Sequence, residues 1–165
     1  MSIRPAVPSD AAAIAKIHRE NAGYYAELAP ELFTQPEEEG LLAFVAPGPD
    51  DNDPTHLFAV SDREAGVVGY VYAEIVRPSE SDPFQGIAEL AETRLFIHAL
   101  SVSQAAWRQG VATELVEAAE AWGRERGATS VLCDTWPNSP VSFPFWTQRM
   151  GYETRSVRLK KPLRS

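Results

Sequence analysis

Residues 97 to 135 constrain the fold more than any other stretch. An apolar, β-branched run ending Leu100-Ser101-Val102 predicts a long strand over about 92 to 102. A short loop, Ser103 to Gln109, leads straight into an amphipathic helix over about 109 to 126. Its Val111, Leu115, Ala118, Ala119 and Trp122 recur at helical spacing, and Gly127 ends it. Ser130 to Thr135 then reads as another strand. A strand, a helix and a strand of these lengths demand a parallel crossover, so the sheet holds at least one parallel pair.

The rest of the chain supplies a meander and further helices. Ser2 to Pro5 predicts a short strand. Ser9 and Asp10 fit caps for a helix to about Ala22, with Ile14 and Ile17 on its buried face. Tyr24-Tyr25-Ala-Glu-Leu-Ala-Pro reads as an aromatic loop. Thr34-Gln-Pro-Glu37 fits a capping box opening a helix through about Phe44, and Ala46 to Pro54 reads as a Pro/Gly/Asp loop. His56 to Ser61 and Val67 to Val76 read as a hairpin turning at Glu64-Ala-Gly66. Arg77 to Gly86 is a polar loop. Ser139 to Met150 predicts mostly helix stopped by Gly151, and Tyr152 to Leu159 a final strand or two. The element order is that of a mixed α/β protein.

A chain of 165 residues is long enough for one domain that buries roughly 70% of its unfolded surface without metal or disulfide help. One cysteine forms no internal disulfide. No basic, apolar leader opens the sequence, and no apolar stretch approaches the roughly 20 residues of a membrane helix, so a soluble, cytoplasmic setting is expected. Residues 1 to 92 hold 17 acids against 5 bases, and residues 93 to 165 hold 6 acids against 10 bases. The acidic part disfavours nucleic acid and favours a cationic partner, unless it serves solubility alone.

The basic part contains the crossover loop. Gly110 and Ala112, in the first turn of the helix, let a ligand approach the unpaired N–H groups there. With the positive end of the helix dipole, those groups suit a phosphate. Strand, Arg108-Gln-Gly110-Val-Ala112, helix resembles the acetyl-CoA pyrophosphate loop of the GNAT superfamily of N-acetyltransferases, whose pattern is Arg/Gln-x-x-Gly-x-Gly/Ala. Trp107 departs from the pattern by standing at the usual Arg/Gln position, with Arg108 next to it. The resemblance covers most of the chain. It implies one domain, 1–165, with a mixed central sheet of six to seven strands flanked by about four helices. It further implies that the backbone of Leu100, Ser101 and Val102 pairs with the pantetheine of acetyl-CoA. Arg108, Gln109, Gly110, Val111, Ala112 and Thr113 would surround the pyrophosphate, and Asn138 would approach the pantetheine.

Acetyl transfer to an amine needs a neutral nucleophile, a polarised thioester carbonyl and a proton for the departing thiolate. His98 is the leading base, because imidazole titrates near neutral pH and the residue matches a strand histidine of the arylalkylamine acetyltransferases. Simple alternation puts Glu92, Arg94, Phe96, His98, Leu100 and Val102 on one face of the strand. Glu92 is the second base candidate; a packed histidine and a solvated glutamate are the plain alternatives. The family's usual acid, a tyrosine before the Gly-aromatic ending, corresponds to Thr147. The run Ser142 to Met150 has room for an inserted residue, yet no tyrosine falls there in either register. Trp146 and Cys133 read as packing residues. His18 and His56 belong to no zinc-like spacing. The resemblance thus implies direct acetyl transfer from acetyl-CoA to a small cationic amine, a metabolite or antibiotic. A protein N-terminus or lysine is the alternative acceptor, and a non-catalytic acyl-CoA-binding module the alternative function. No nucleic acid or membrane partner is expected, and a homodimer is open to it.

Overall fold

A mixed sheet of five strands, in the spatial order β1-β2-β3-β4-β5, carries the fold. The computed structural model describes residues 2–45 and 53–163, so most of the loop expected over 46–54 lies outside the described residues. The strands are β1 (Ser2–Pro5), β2 (His56–Arg63), β3 (Gly66–Val76), β4 (Arg94–Val102) and β5 (Ser130–Cys133). The first four run antiparallel to their neighbours, while β5 lies parallel to β4, as the crossover demanded. The chain forms two compact units, Met1–Cys133 and Asp134–Ser165, and the whole sheet belongs to the first.

Two helices of that unit pack on opposite faces of the sheet. On one face lies α1 (Ala11–Leu28), whose Ile14 and Ile17 join Val60 of β2 and Tyr70 of β3 in a buried cluster. Arg4 ties its start to the sheet: the guanidinium donates to Asp10 at 2.7 and 3.0 Å and to Asp62 at 2.9 Å. On the other face lies α3 (Val111–Glu125), whose Val111, Leu115, Val116 and Ala119 are buried at helical spacing. Glycines bring this helix close. A Cβ on Gly69 of β3 would stand 3.1 Å from Val111 Cγ1 and 3.2 Å from Leu115 Cδ1, and one on Gly123 would stand 3.0 Å from Leu95 Cδ2.

Several expected boundaries move. α1 continues through the predicted aromatic loop, because Tyr24 and Tyr25 find ring partners in Trp107 and Phe33 and stay half-buried. The helix expected over 34–44 is only α2 (Leu41–Val45). Gln35 donates to the Arg19 carbonyl and the Pro36 carbonyl accepts from Arg19 Nε, which holds that segment against α1. Three glutamates and a left-handed Gly40 (φ 81°) then delay the helix.

In the second unit, α4 (Ser142–Pro144) passes directly into a π-turn, Phe145–Arg149, closed by Met150 N–H donating to the Phe145 carbonyl at 3.0 Å. A π-turn holds one more residue than an α-turn, which accounts for the surplus residue in that run. The strand expected over 152–159 does not form. Val157, Leu159 and Leu163 are largely exposed and interspersed with basic residues, so no apolar face is covered to repay ordering. The sheet therefore has five described strands, not six or seven.

Candidate active site

The loop between β4 and α3 has the backbone of an anion cradle. Arg108 is a non-glycine residue in left-handed conformation (φ 62°), and Gly110 repeats it two residues later (φ 83°). Left-handed residues alternating with ordinary ones turn successive N–H groups towards one concavity. The first bond of the helix ladder runs from Glu114 N–H to the Gly110 carbonyl, 3.0 Å, so the N–H groups of Val111, Ala112 and Thr113 precede it. A phosphate fits such a set of donors.

The loop is bound on three sides. Trp107 donates its indole N–H to the Val102 carbonyl at 2.8 Å, and Asn21 of α1 donates to the same oxygen at 3.0 Å. Gln109 donates to the Ala105 carbonyl at 3.0 Å, and Glu20 of α1 accepts from Gln104 N–H at 3.2 Å. Trp107 also meets the Tyr24 ring edge-on, with centroids 5.1 Å apart. The residue that breaks the expected Arg/Gln pattern thus works as a brace between strand, loop and α1.

β5 leaves β4 halfway. Their pairing runs from Arg94↔Ser130 to Ile97↔Cys133 and stops there, while β3 continues beside β4 to Val102. From His98 to Val102, the β5-side edge of β4 therefore has no strand partner among the described residues. An extended chain with its own amides can pair with an edge of this kind.

The same point carries a β-bulge. Tyr72 pairs with Ala99 and Ala73 with Ile97, leaving His98 opposite no residue of β3. The bulge reverses the side-chain alternation of β4. Leu95 and Ile97 face α3 before it, and Leu100 and Val102 do so after it; Ala99 and Ser101 turn to the α1 side. The expected single face from Arg94 to Val102 is thereby corrected: Phe96 and Leu100 lie on opposite faces.

His98 sits on the α1 side with its side chain 39% exposed, at the point where the two strands part. Its Nε2 lies 2.8 Å from Glu74 Oε2. Its ring stacks on Tyr72, centroids 5.4 Å apart, and touches Phe96 at 4.8 Å. Tyr72 in turn stacks on His56 at 5.8 Å, so one aromatic row crosses β2, β3 and β4. Sequence reasoning missed Glu74 and Tyr72, although a strand glutamate amid apolar residues is itself a signal.

The other singled-out residues fall elsewhere. Glu92 precedes β4 at its opposite end, accepting from the Thr129 hydroxyl at 3.1 Å; six residues of strand, roughly 20 Å, separate it from His98. Leu100, Ser101 and Val102 line the open edge of β4 and pair with Val71, Tyr70 and Gly69 on the other side. Asn138 lies in a turn of the second unit, where Ser139 N–H donates to the Trp136 carbonyl at 3.0 Å. Thr147 donates its hydroxyl to the Phe143 carbonyl at 2.8 Å, which commits it to the helix. Trp146 is buried, its ring 4.9 Å from that of Tyr152. Cys133 is the last residue of β5. His18 bonds the Tyr70 hydroxyl at 3.0 Å beneath α1, and burial pushes its pKa down. Among the described residues, no group of three or more His, Cys, Asp or Glu is placed to hold a metal ion, and no helix is long and apolar enough to cross a membrane.

Comparison with known proteins agrees with this geometry. The chain superposes on the tetramutant of the BH1408 protein from Bacillus halodurans with a TM-score of 0.83 at 15% identity, over 99% of this chain and 100% of the other. It matches the apo aminoglycoside antibiotic 6′-N-acetyltransferase AAC(6′)-IG from Acinetobacter haemolyticus with a TM-score of 0.67 at 16% identity, over 99% and 100%. An aminoglycoside acetyltransferase from an uncultured soil metagenomic sample, in complex with trehalose, matches at 0.61 with 18% identity, over 99% and 96%. No curated protein matches the sequence. The model of the acetyltransferase (GNAT) family matches residues 15–152, which include most of α1, the whole of β2 to β5, the bulge and the loop between β4 and α3. The chain belongs to the GNAT family of acetyltransferases.

Proposed function

We propose that the protein transfers acetyl from acetyl-CoA to the primary amine of a small cationic molecule, by direct attack within a ternary complex. The observation that carries this reading is the coincidence, at one end of β4, of an unpaired strand edge and a left-handed anion cradle. The cradle of Arg108, Gln109, Gly110, Val111, Ala112 and Thr113 suits the pyrophosphate, and the edge from Leu100 to Val102 suits the amides of pantetheine. Acetyl-CoA supplies the acetyl group as a thioester.

His98 is the base in this reading. An amine at neutral pH is mostly an ammonium ion and cannot attack until it loses a proton. The His98 Nδ1 accepts that proton, directly or through one water, and passes it to solvent after transfer. The cationic class of the acceptor is supported by the acidic first 92 residues and by the carboxylate beside the base, Glu74. It is also supported by structural neighbours named as aminoglycoside acetyltransferases.

Calorimetry with acetyl-CoA, followed by thiol release over a panel of small amines, aminoglycosides and lysine peptides, tests the proposal. Saturable binding and turnover on a small cationic amine are expected. Turnover on peptides alone would move the acceptor class, and binding without turnover on any amine would replace catalysis by acyl-CoA sensing. Added salt should raise the KM of a cationic acceptor and leave that of a neutral amine nearly unchanged.

A further inference from the structure

His98 is the bulged residue of β4, and it is held by side chains of the neighbouring strand. Glu74 of β3 pairs with Phe96 of β4 on one side and with His56 of β2 on the other, which sets its carboxylate between two imidazoles. Oε2 lies 2.8 Å from His98 Nε2, and Oε1 lies 3.9 Å from His56 Nε2. Behind His56, Asp53 Oδ2 lies 3.3 Å from Nδ1. Tyr72, on the same face as Glu74, stacks on both rings at centroid distances of 5.4 and 5.8 Å. Among the described residues, the ionisable groups shown around this carboxylate are His56 with Asp53 from the β2 side, Tyr72 from β3 and His98 from β4.

A carboxylate only accepts hydrogen bonds, so a neutral His98 facing Glu74 carries its proton on Nε2 and its lone pair on Nδ1. Without that partner, either nitrogen can hold the proton, and the ring is free to turn about its two side-chain torsions. We propose that Glu74 is the positioning residue for His98. It selects the tautomer whose Nδ1 is basic, fixes the ring against Tyr72, and compensates the imidazolium formed when Nδ1 takes the acceptor's proton. The proton moves from the acceptor nitrogen to Nδ1, while the Nε2–H stays bonded to Glu74 throughout. His56 shares the carboxylate without being needed for the tautomer. The proposal rests on the reading of His98 as the base and adds to it the group that makes one nitrogen rather than the other do the work.

Two measurements on the full chain separate the proposal from that reading. Nitrogen-15 NMR of the imidazoles, above the pH at which His98 is charged, should show His98 protonated on Nε2. The fixed tautomer should be lost in Glu74→Ala and kept in His56→Ala. A wild-type His98 protonated on Nδ1 overturns the proposal. In kinetics, Glu74→Ala should lower kcat/KM roughly 10- to 100-fold, by analogy with the outer partners that orient metal-bound histidines, with acetyl-CoA affinity unchanged. On a His98→Ala background the same substitution should cost nothing further. Glu74→Gln, which keeps the side chain's size, should show part of the same loss, because it removes the charge that compensates the imidazolium even where its amide oxygen still accepts from Nε2–H; it serves if the alanine variant does not fold. Full activity of the Glu74 variants beside an impaired His98→Ala sinks the positioning role and leaves the base assignment standing. An equal loss on the His98→Ala background shows Glu74 acting by itself and also overturns the proposal. Full activity of His98→Ala removes both.

Discussion

Trp107 donates its indole N–H to the carbonyl of Val102, and this 2.8 Å bond closes the cradle loop back onto the strand it has just left. The loop's left-handed residues come immediately afterwards, so the brace fixes where the cradle begins. Trp107→Phe keeps a ring against Tyr24 and removes the donor. One neutral hydrogen bond is worth about 1 kcal/mol, or roughly 5-fold in affinity. We expect acetyl-CoA to bind about that much more weakly by calorimetry, with little change in thermal midpoint. Wild-type affinity would reduce the brace to a packing contact.

His98→Ala should lower kcat/KM roughly 10² to 10⁴-fold, the usual scale for a positioned acid-base group. Acetyl-CoA affinity should hold, because the cradle is backbone on another segment. His98→Gln should be nearly as slow, since an amide can hold a water but cannot take its proton. Near wild-type rates for both variants would make His98 a packing residue.

Gly69 lets α3 start hard against β3. In Gly69→Ala, the new Cβ would stand 3.1 Å from the Ser101 carbonyl oxygen and from Val111 Cγ1. Overpacking of this kind costs roughly 1 to 3 kcal/mol. Because Val111 is also the first residue of α3 and one of the cradle's N–H donors, stability and acetyl-CoA affinity should fall together. Denaturant unfolding and calorimetry on one preparation check this, and a loss of stability alone would separate the core from the cradle.

Arg4 beside Asp10 holds that carboxyl below its ordinary value of 3.8, chiefly by side-chain hydrogen bonding and against the cost of burial. A carboxylate with a lowered folded pKa stabilises the protein above the unfolded value and loses that contribution as pH falls through the folded one. Asp10→Asn should therefore cost roughly 2 kcal/mol at neutral pH, the range for hydrogen bonds to charged groups. The difference from wild type should shrink as pH drops below about 4. Urea unfolding at several pH values tests the trend, and a pH-independent difference would deny the ion pair its part.

The crossover and its loop were legible in the sequence because each rests on local rules: β-branched runs, helical spacing and small residues at a helix start. Gly110 was legible for the same reason, whereas His98 was singled out by a family resemblance and by imidazole chemistry. The face each residue of β4 presents was not legible, since a bulge is decided by pairing with β3 and leaves no mark in alternation. Glu74 escaped notice because its meaning depends on a neighbour 24 positions away. Thr34-Gln-Pro-Glu37 obeys a local rule and still forms no helix, because contacts with Arg19 outweigh it. The segment after Tyr152 has the composition of a strand, but strand propensity is realised only against a partner edge.

The extra residue at His98 divides β4 into two stretches with opposite phase, one paired on both sides and the other with one edge open. Removing His98 would let the ladder close without a break, with Ala99 still opposite Tyr72 and Leu100 still opposite Val71, so the faces beyond it would stand and only the bulged side chain would be lost. One further residue inserted after the bulge would find no such slack and would exchange α1 for α3 along the stretch that follows, unless a second bulge took it up. The strand can give up its spare residue without turning its core over, but it has no room to take in another.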